Sequence, residues 1–141
     1  MQLEFFLDQS PDVILRCLTQ REHFVKTHPL IVDLQAVGEA EFRIKERMLY
    51  SVYPLYFTYN ATIVSRDQNK QVWMNALIFG LINLSMKFQI VPEVKGTRVI
   101  ENIEIKGFFL FRWVLSKVLR SQHQLWMQSI EKYKAETTAL V

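Results

Sequence analysis

The sequence predicts an α+β fold in which a curved antiparallel sheet closes over one long C-terminal helix. Three observations predict it. The chain ends in an unbroken amphipathic stretch, Leu110 to Glu136, which at about 1.5 Å per residue makes a helix roughly 40 Å long, enough to cross a small domain. Before it come about six strand-like segments joined by short turns, which favour neighbouring antiparallel strands over crossover units. One apolar sheet face then needs a cover, and the terminal helix is the only long one. A long sheet curls with its right-handed twist. A helix about 10 Å wide does not fill the concave side of seven curled strands, so a hollow is expected unless bulky side chains close it.

Taken in order, Leu3 to Leu7 reads as a strand ended by Asp8-Gln9. Ser10-Pro11-Asp12 is an N-cap with proline in the first turn, so a helix carrying Val13, Ile14, Cys17 and Leu18 follows. A second short helix spans Arg21 to Lys26 and stops at His28-Pro29, because a residue before proline is pushed out of the helical region. Leu30 to Val37 alternates and turns at Gly38. In Glu41 to Ser51, Phe42, Ile44, Met48 and Tyr50 share one face; Glu46 falls on that apolar face. After Pro54, Leu55 to Val64 places Phe57, Tyr59, Ala61 and Ile63 together, and Asp67-Gln68-Asn69-Lys70 is a hairpin turn. Val72 to Phe79, Ile82 to Val91 and Thr97 to Lys106 complete the strands. On the terminal helix, Val114, Leu115, Val118, Leu119, Leu125, Trp126, Ile130 and Tyr133 form one arc, with Gln122 near its middle and Ser129 close by. A polar amide there needs a partner or a hollow.

At 141 residues and 50% hydrophobic content the chain fits one domain, residues 1–141, with a core that needs no disulfide. The lone Cys17 reads as a small core residue. Met1-Gln2-Leu3-Glu4 lacks a basic start and Phe5 to Leu7 is short, so no signal peptide is expected and the location expected is cytoplasmic. The longest apolar run, Ala76 to Met86, is broken by Gly80, Asn83 and Ser85, well short of the ~20 residues of a span. A net charge of +3 does not point to nucleic acid. The terminal helix is nevertheless locally basic, which suits either a solvated face or anionic headgroups.

The segment Phe88 to Val99, with its turn and Gly96-Thr97-Arg98-Val99, resembles the hairpin before the last strand in the START/Bet v 1-like (SRPBCC) superfamily. Ser10-Pro11-Asp12-Val13 and the His23 to Pro29 region look like its two small helices, and the polyketide cyclase/dehydrase and lipid-transport-like group is the nearest in appearance. The resemblance implies a helix-grip fold: a seven-stranded antiparallel sheet gripping the C-terminal helix around a cavity for hydrophobic ligands. It implies no single chemistry, since members bind lipids, sterols, hormones or polyketides and a minority catalyse cyclisation or aromatisation.

On the residues, the expected ligand wall comprises Phe42, Met48, Tyr50, Tyr59, Met86, Phe88, Leu115, Val118, Leu119 and Trp126, with Glu46, Glu101, Gln122 and Asn75 as its polar members. Glu46 and Glu101 either meet a ligand hydroxyl or a proton-transfer task, or pair with a basic residue at the rim. Gln122 faces the cavity or bonds a sheet side chain such as Asn75. Phe108, Phe109, Phe111 and Trp113 surround the helix start in all directions, as a cavity entrance or lid, a peripheral membrane contact, or packing on the short helices or a dimer partner. His23, His28 and His123 lack metal-site spacing, and no cofactor or catalytic motif is recognised. The leading expectation is a monomer or weak homodimer that binds a lipid, isoprenoid or polyketide-like molecule for transport or sensing. A cyclase/aromatase using Glu46 or Glu101, and a protein-interaction module with a filled core, are the alternatives.

Overall fold

A computed structural model describes residues 1–47 and 55–133. Its elements are β1 (Gln2–Leu7), α1 (Pro11–Thr19), α2 (Arg21–Thr27), β2 (Ile31–Gly38), β3 (Glu41–Arg47), β4 (Tyr56–Arg66), β5 (Gln71–Ile78), β6 (Ile82–Glu93), β7 (Gly96–Lys106) and α3 (Phe109–Lys132). The strands form one seven-stranded antiparallel sheet in the order β1-β7-β6-β5-β4-β3-β2. Strands β2 to β7 run as a meander, and β1 joins it beside β7. The two short helices lie between β1 and β2 in the chain, and α3 covers the sheet's buried face. This is the helix-grip architecture.

Local chemistry accounts for the boundaries. Ser10 caps α1, its Oγ accepting from Val13 N at 3.3 Å, with Pro11 at the first helical position. Asp67, Gln68 and Asn69 all take positive φ in the β4–β5 turn, and Ser65 Oγ bonds Asn69 Oδ1 at 2.6 Å. Gly96, with φ +154, opens β7 where a Cβ would collide with the Leu7 carbonyl, so only glycine lets β1 close on β7. Inward residues alternate along the strands, from Ala61 and Ile63 on β4 through Val72, Met74, Ala76 and Ile78 on β5 to Val99, Glu101 and Ile103 on β7.

Two expectations for α3 need correction. The helix stops at Lys132 rather than running to Glu136, with Tyr133 already extended. Gln9 Nε2 donates to the carbonyls of Ile130 (3.1 Å) and Tyr133 (2.8 Å), and Tyr133 hydroxyl lies 2.5 Å from His23 Nδ1. These contacts turn the chain out of the helix; residues 134–141 lie outside the described ones. The buried stripe is also rotated from the expected arc: Leu119, Gln122, His123, Trp126, Met127 and Ile130 are buried, whereas Val114 and Leu125 are about half exposed. The cause is His123, which the hydrophobic pattern counts as polar but which enters the core on a carboxylate.

Candidate functional site

Between the sheet and the N-terminal half of α3 lies a hollow of about 270 Å³. Its sheet wall is apolar: Ile44 of β3, Phe57, Ala61 and Ile63 of β4, Met74, Ala76 and Ile78 of β5, and Ile82, Leu84 and Met86 of β6. The helix contributes Phe111, Val114, Leu115, Val118 and Leu119. Trp126 forms the floor, held by its Nε1 donating to Thr27 Oγ1 at 3.1 Å and by the rings of Phe24, Phe88, His28 and His123 within 4.7 to 5.8 Å.

Polar groups gather in one part of this wall. Tyr59 hydroxyl donates to Glu46 Oε1 at 3.1 Å. Burial pushes the Glu46 carboxyl up from the ordinary 4.5 to about 7, with the Tyr59 hydrogen bond and the nearby His123 pulling the other way. Burial likewise drives Tyr59 well above its usual range, and Glu46 adds to that. His28 is held well below 6.5 by burial, then by His123. Its Nδ1 accepts from the backbone N–H groups of Leu30 (3.2 Å) and Ile31 (3.1 Å), so the neutral ring carries its proton on Nε2. Deepest of all, Glu101 is fully buried and its Oε2 lies 2.5 Å from His123 Nδ1. That contact is short but not aligned as a hydrogen bond, and neither Glu101 oxygen has another partner. Among the described residues no group of three or more His, Cys, Asp or Glu is arranged to hold a metal.

Neither a protein-family model nor a curated protein matches the sequence. Solved structures match it well: a START superfamily protein from Mycobacterium smegmatis has TM-score 0.70 at 12% identity, over 94% of this chain and 97% of that one. Ara h 8.0201 has TM-score 0.71 at 14% identity, over 94% and 95%. The di-domain ARO/CYC StfQ from the steffimycin biosynthetic pathway has TM-score 0.74 at 12% identity, over all of this chain and 51% of that one. The helix-grip fold is the one these structures share. At such identities the likeness speaks for the helix-grip backbone alone.

Within this helix-grip frame, the structure brings Glu46, Tyr59, Met86, Leu115, Val118, Leu119, Gln122 and Trp126 onto the wall of the hollow. Among the described residues Gln122 has no side-chain partner, and the alternative pairing with Asn75 does not occur. Asn75 sits on the outer face of β5, accepting from Ser85 Oγ at 2.6 Å, because alternation turns it away from Met74 and Ala76. Phe42 packs against the core edge without reaching the hollow. Phe88 is buried behind Trp126 and His123. Glu101 faces inward as alternation requires, yet His123 stands between it and the space. Among the described residues neither Glu46 nor Glu101 pairs with an arginine or lysine at the rim. Met48 and Tyr50 lie outside the described residues.

Of the four entrance aromatics, only Phe111 lines the hollow; Phe108, Phe109 and Trp113 stand outside it. All four are more than half exposed, so packing on α1 and α2 is excluded for them. Sequence reasoning missed His28 and His123 as wall residues. The available signal was the spacing of His123 from Trp126, Met127 and Ile130, three, four and seven residues apart on one helical face.

Proposed function

We propose that the protein binds a hydrophobic small molecule, of lipid, isoprenoid or polyketide-like character, in this hollow, for carriage or sensing. The observation that carries the reading is the asymmetry of the wall: a long apolar lining with Glu46, Arg47, Tyr59, Gln122, His28 and His123 as its polar groups. Such a site suits an apolar body with a polar end bearing hydroxyl or carbonyl groups. The volume lies just under the ~300–1,000 Å³ usual for ligand pockets, so a compact ligand is favoured. A ligand burying about 300 Å² of apolar surface gains roughly 7 kcal/mol at 25 cal/mol per Å² before the cost of association. Native mass spectrometry of freshly purified protein, followed by titration with the apolar dye anilinonaphthalene sulfonate, tests this. One dye or one lipophilic adduct per chain, competing with each other, is the expected result; a chain that holds neither would overturn the reading.

The rim supports a peripheral membrane contact for the exchange of such a ligand. Phe79 and Leu81 of the β5–β6 turn and Phe108, Phe109, Phe111 and Trp113 of the α3 start are between 53% and 73% exposed. Gly107 lies against Leu81 and Ile82, which brings the two segments side by side, and Phe79 and Phe111 also line the hollow. Basic Lys106, Arg112, Lys117 and Arg120 accompany them, with no acidic residue from Gly107 to Ile130. This surface combines aromatic anchors with positive charge, as anionic headgroups require.

A further inference from the structure

The pair formed by Glu101 and His123 has more structure than a carrier needs. A fully buried carboxylate facing an imidazole is costly to bury, and hydrophobic residues of similar size would serve a mere core as well. The ring is placed with Nδ1 at the Glu101 carboxylate and with one side forming part of the wall of the hollow. Its Nε2 has no partner among the described residues. A carboxylate that accepts from Nδ1–H fixes the tautomer in which Nε2 is a free acceptor, the arrangement by which an imidazole serves as a general base. Opposite in kind stands Glu46, on Tyr59, also on the wall.

We infer that His123, positioned by Glu101, is a general base for carbon acids bound in the hollow, the substrate class being a compact hydrophobic ketone or related carbonyl compound. This inference rests on the ligand-binding reading above. In the step it supports, Nε2 removes a proton from the carbon beside the carbonyl and the C–H electron pair becomes the C=C bond. The carbonyl π pair moves to oxygen, which takes a proton from the Glu46 carboxyl. The product is the enol; His123 then returns its proton to the same or a conjugated carbon while the enol oxygen gives its proton back to the Glu46 carboxylate and the C=O bond re-forms, which completes an isomerisation with both groups restored and no oxidant or co-reactant. The misaligned Nδ1 contact is the kind that tightens once a substrate is seated.

The probe is 5-nitrobenzisoxazole, a small flat carbon acid. A base takes its ring C–H proton, the electron pair forms a nitrile, the N–O bond breaks, and a coloured cyanophenolate is released. The wild-type chain should open it on the order of 10²–10⁴ times faster than His123→Ala. Glu101→Gln should fall by a similar factor while still binding the dye, because an amide that donates to Nδ1 moves the ring proton to Nε2. Nitrogen-15 NMR of the histidine rings reads that tautomer change directly, and a purely structural carboxylate would not produce it. Equal turnover in wild type and either variant, with dye binding intact, would overturn the inference alone. Failure of the wild type to bind dye or probe would overturn the ligand-binding reading and this inference with it.

Discussion

At the scale of single residues, burial decides the chemistry of Glu46 and His28 in opposite senses. The Glu46 carboxyl keeps its proton up to about pH 7 in the folded chain but releases it near 4.5 when unfolded. Between those values the folded state binds more protons, so this group's contribution to stability falls as pH rises, by a total of about 3 kcal/mol. His28 works the other way: unfolded it takes a proton near 6.5, folded it stays neutral, and stability falls as pH drops below 6.5. The two slopes oppose each other between about pH 4.5 and 6.5. Glu46→Gln removes the first and leaves the second. Urea unfolding should therefore show the variant more stable than wild type at about pH 8 and losing stability more steeply from pH 6.5 to 5. Parallel pH profiles for the two proteins would refute this assignment. Glu46 was legible as an inward carboxylate because strand alternation has a period of two. Its bond to Tyr59 was not, since that depends on β3–β4 register, with Glu46 opposite Phe57 and Ile44 opposite Tyr59.

At the scale of elements, α3 divides into two working halves. From Leu119 to Ile130 its buried side chains meet the core, while from Phe109 to Val114 every residue is exposed. The change of environment was legible in the run Phe108-Phe109-Leu110-Phe111-Arg112-Trp113, whose apolar residues point all round the helix and cannot share one stripe. What covers that run was not legible, because sequence pattern reports amphipathicity and not the occupant. Lys117 Nζ lies 3.9 Å from the Trp113 ring centroid, keeping an aromatic and a cation together at the surface. If this half is the membrane contact, sedimentation with vesicles of phosphatidylcholine plus phosphatidylserine should capture the protein, and phosphatidylcholine alone much less. The double variant Phe109→Ser, Trp113→Ser should lose on the order of tenfold or more in vesicle affinity, since each ring contributes at least ~1 kcal/mol on burial. Its unfolding midpoint should stay put, because neither side chain is buried. Concentration-dependent dimerisation lost in the same variant, with no vesicle binding by the wild type, would assign the surface to a second copy instead.

At the scale of the whole molecule, element order alone carried most of the fold. A strand, two short helices, six meandering strands and a long helix leave one way to cover a single apolar face. The turns and caps that set the boundaries, at Ser10, Pro29, Asp67 and Gly80, are written locally. What element order leaves open is how far the sheet and α3 stand apart, because that separation comes from side chains distant in sequence. Trp126 wedged among Phe24, His28 and Phe88 fixes it at one end, and the small residues Ala61 and Ala76, paired across β4 and β5, leave the space at the other. This separation is testable by filling it. Ala76→Phe puts a ring into the hollow without touching the polar cluster's own residues. Where a side chain enters unoccupied apolar space it adds contacts and burial, commonly ~0.5–2 kcal/mol of stability, which for a chain of this size raises the melting temperature by a few degrees. The same ring removes the volume a ligand needs, so dye binding and any co-purifying adduct should be lost together while the circular dichroism spectrum is kept. A variant that melts lower and binds the dye as before would mean that the space closes on its own in solution, and the two-sided wall derived from it would no longer stand.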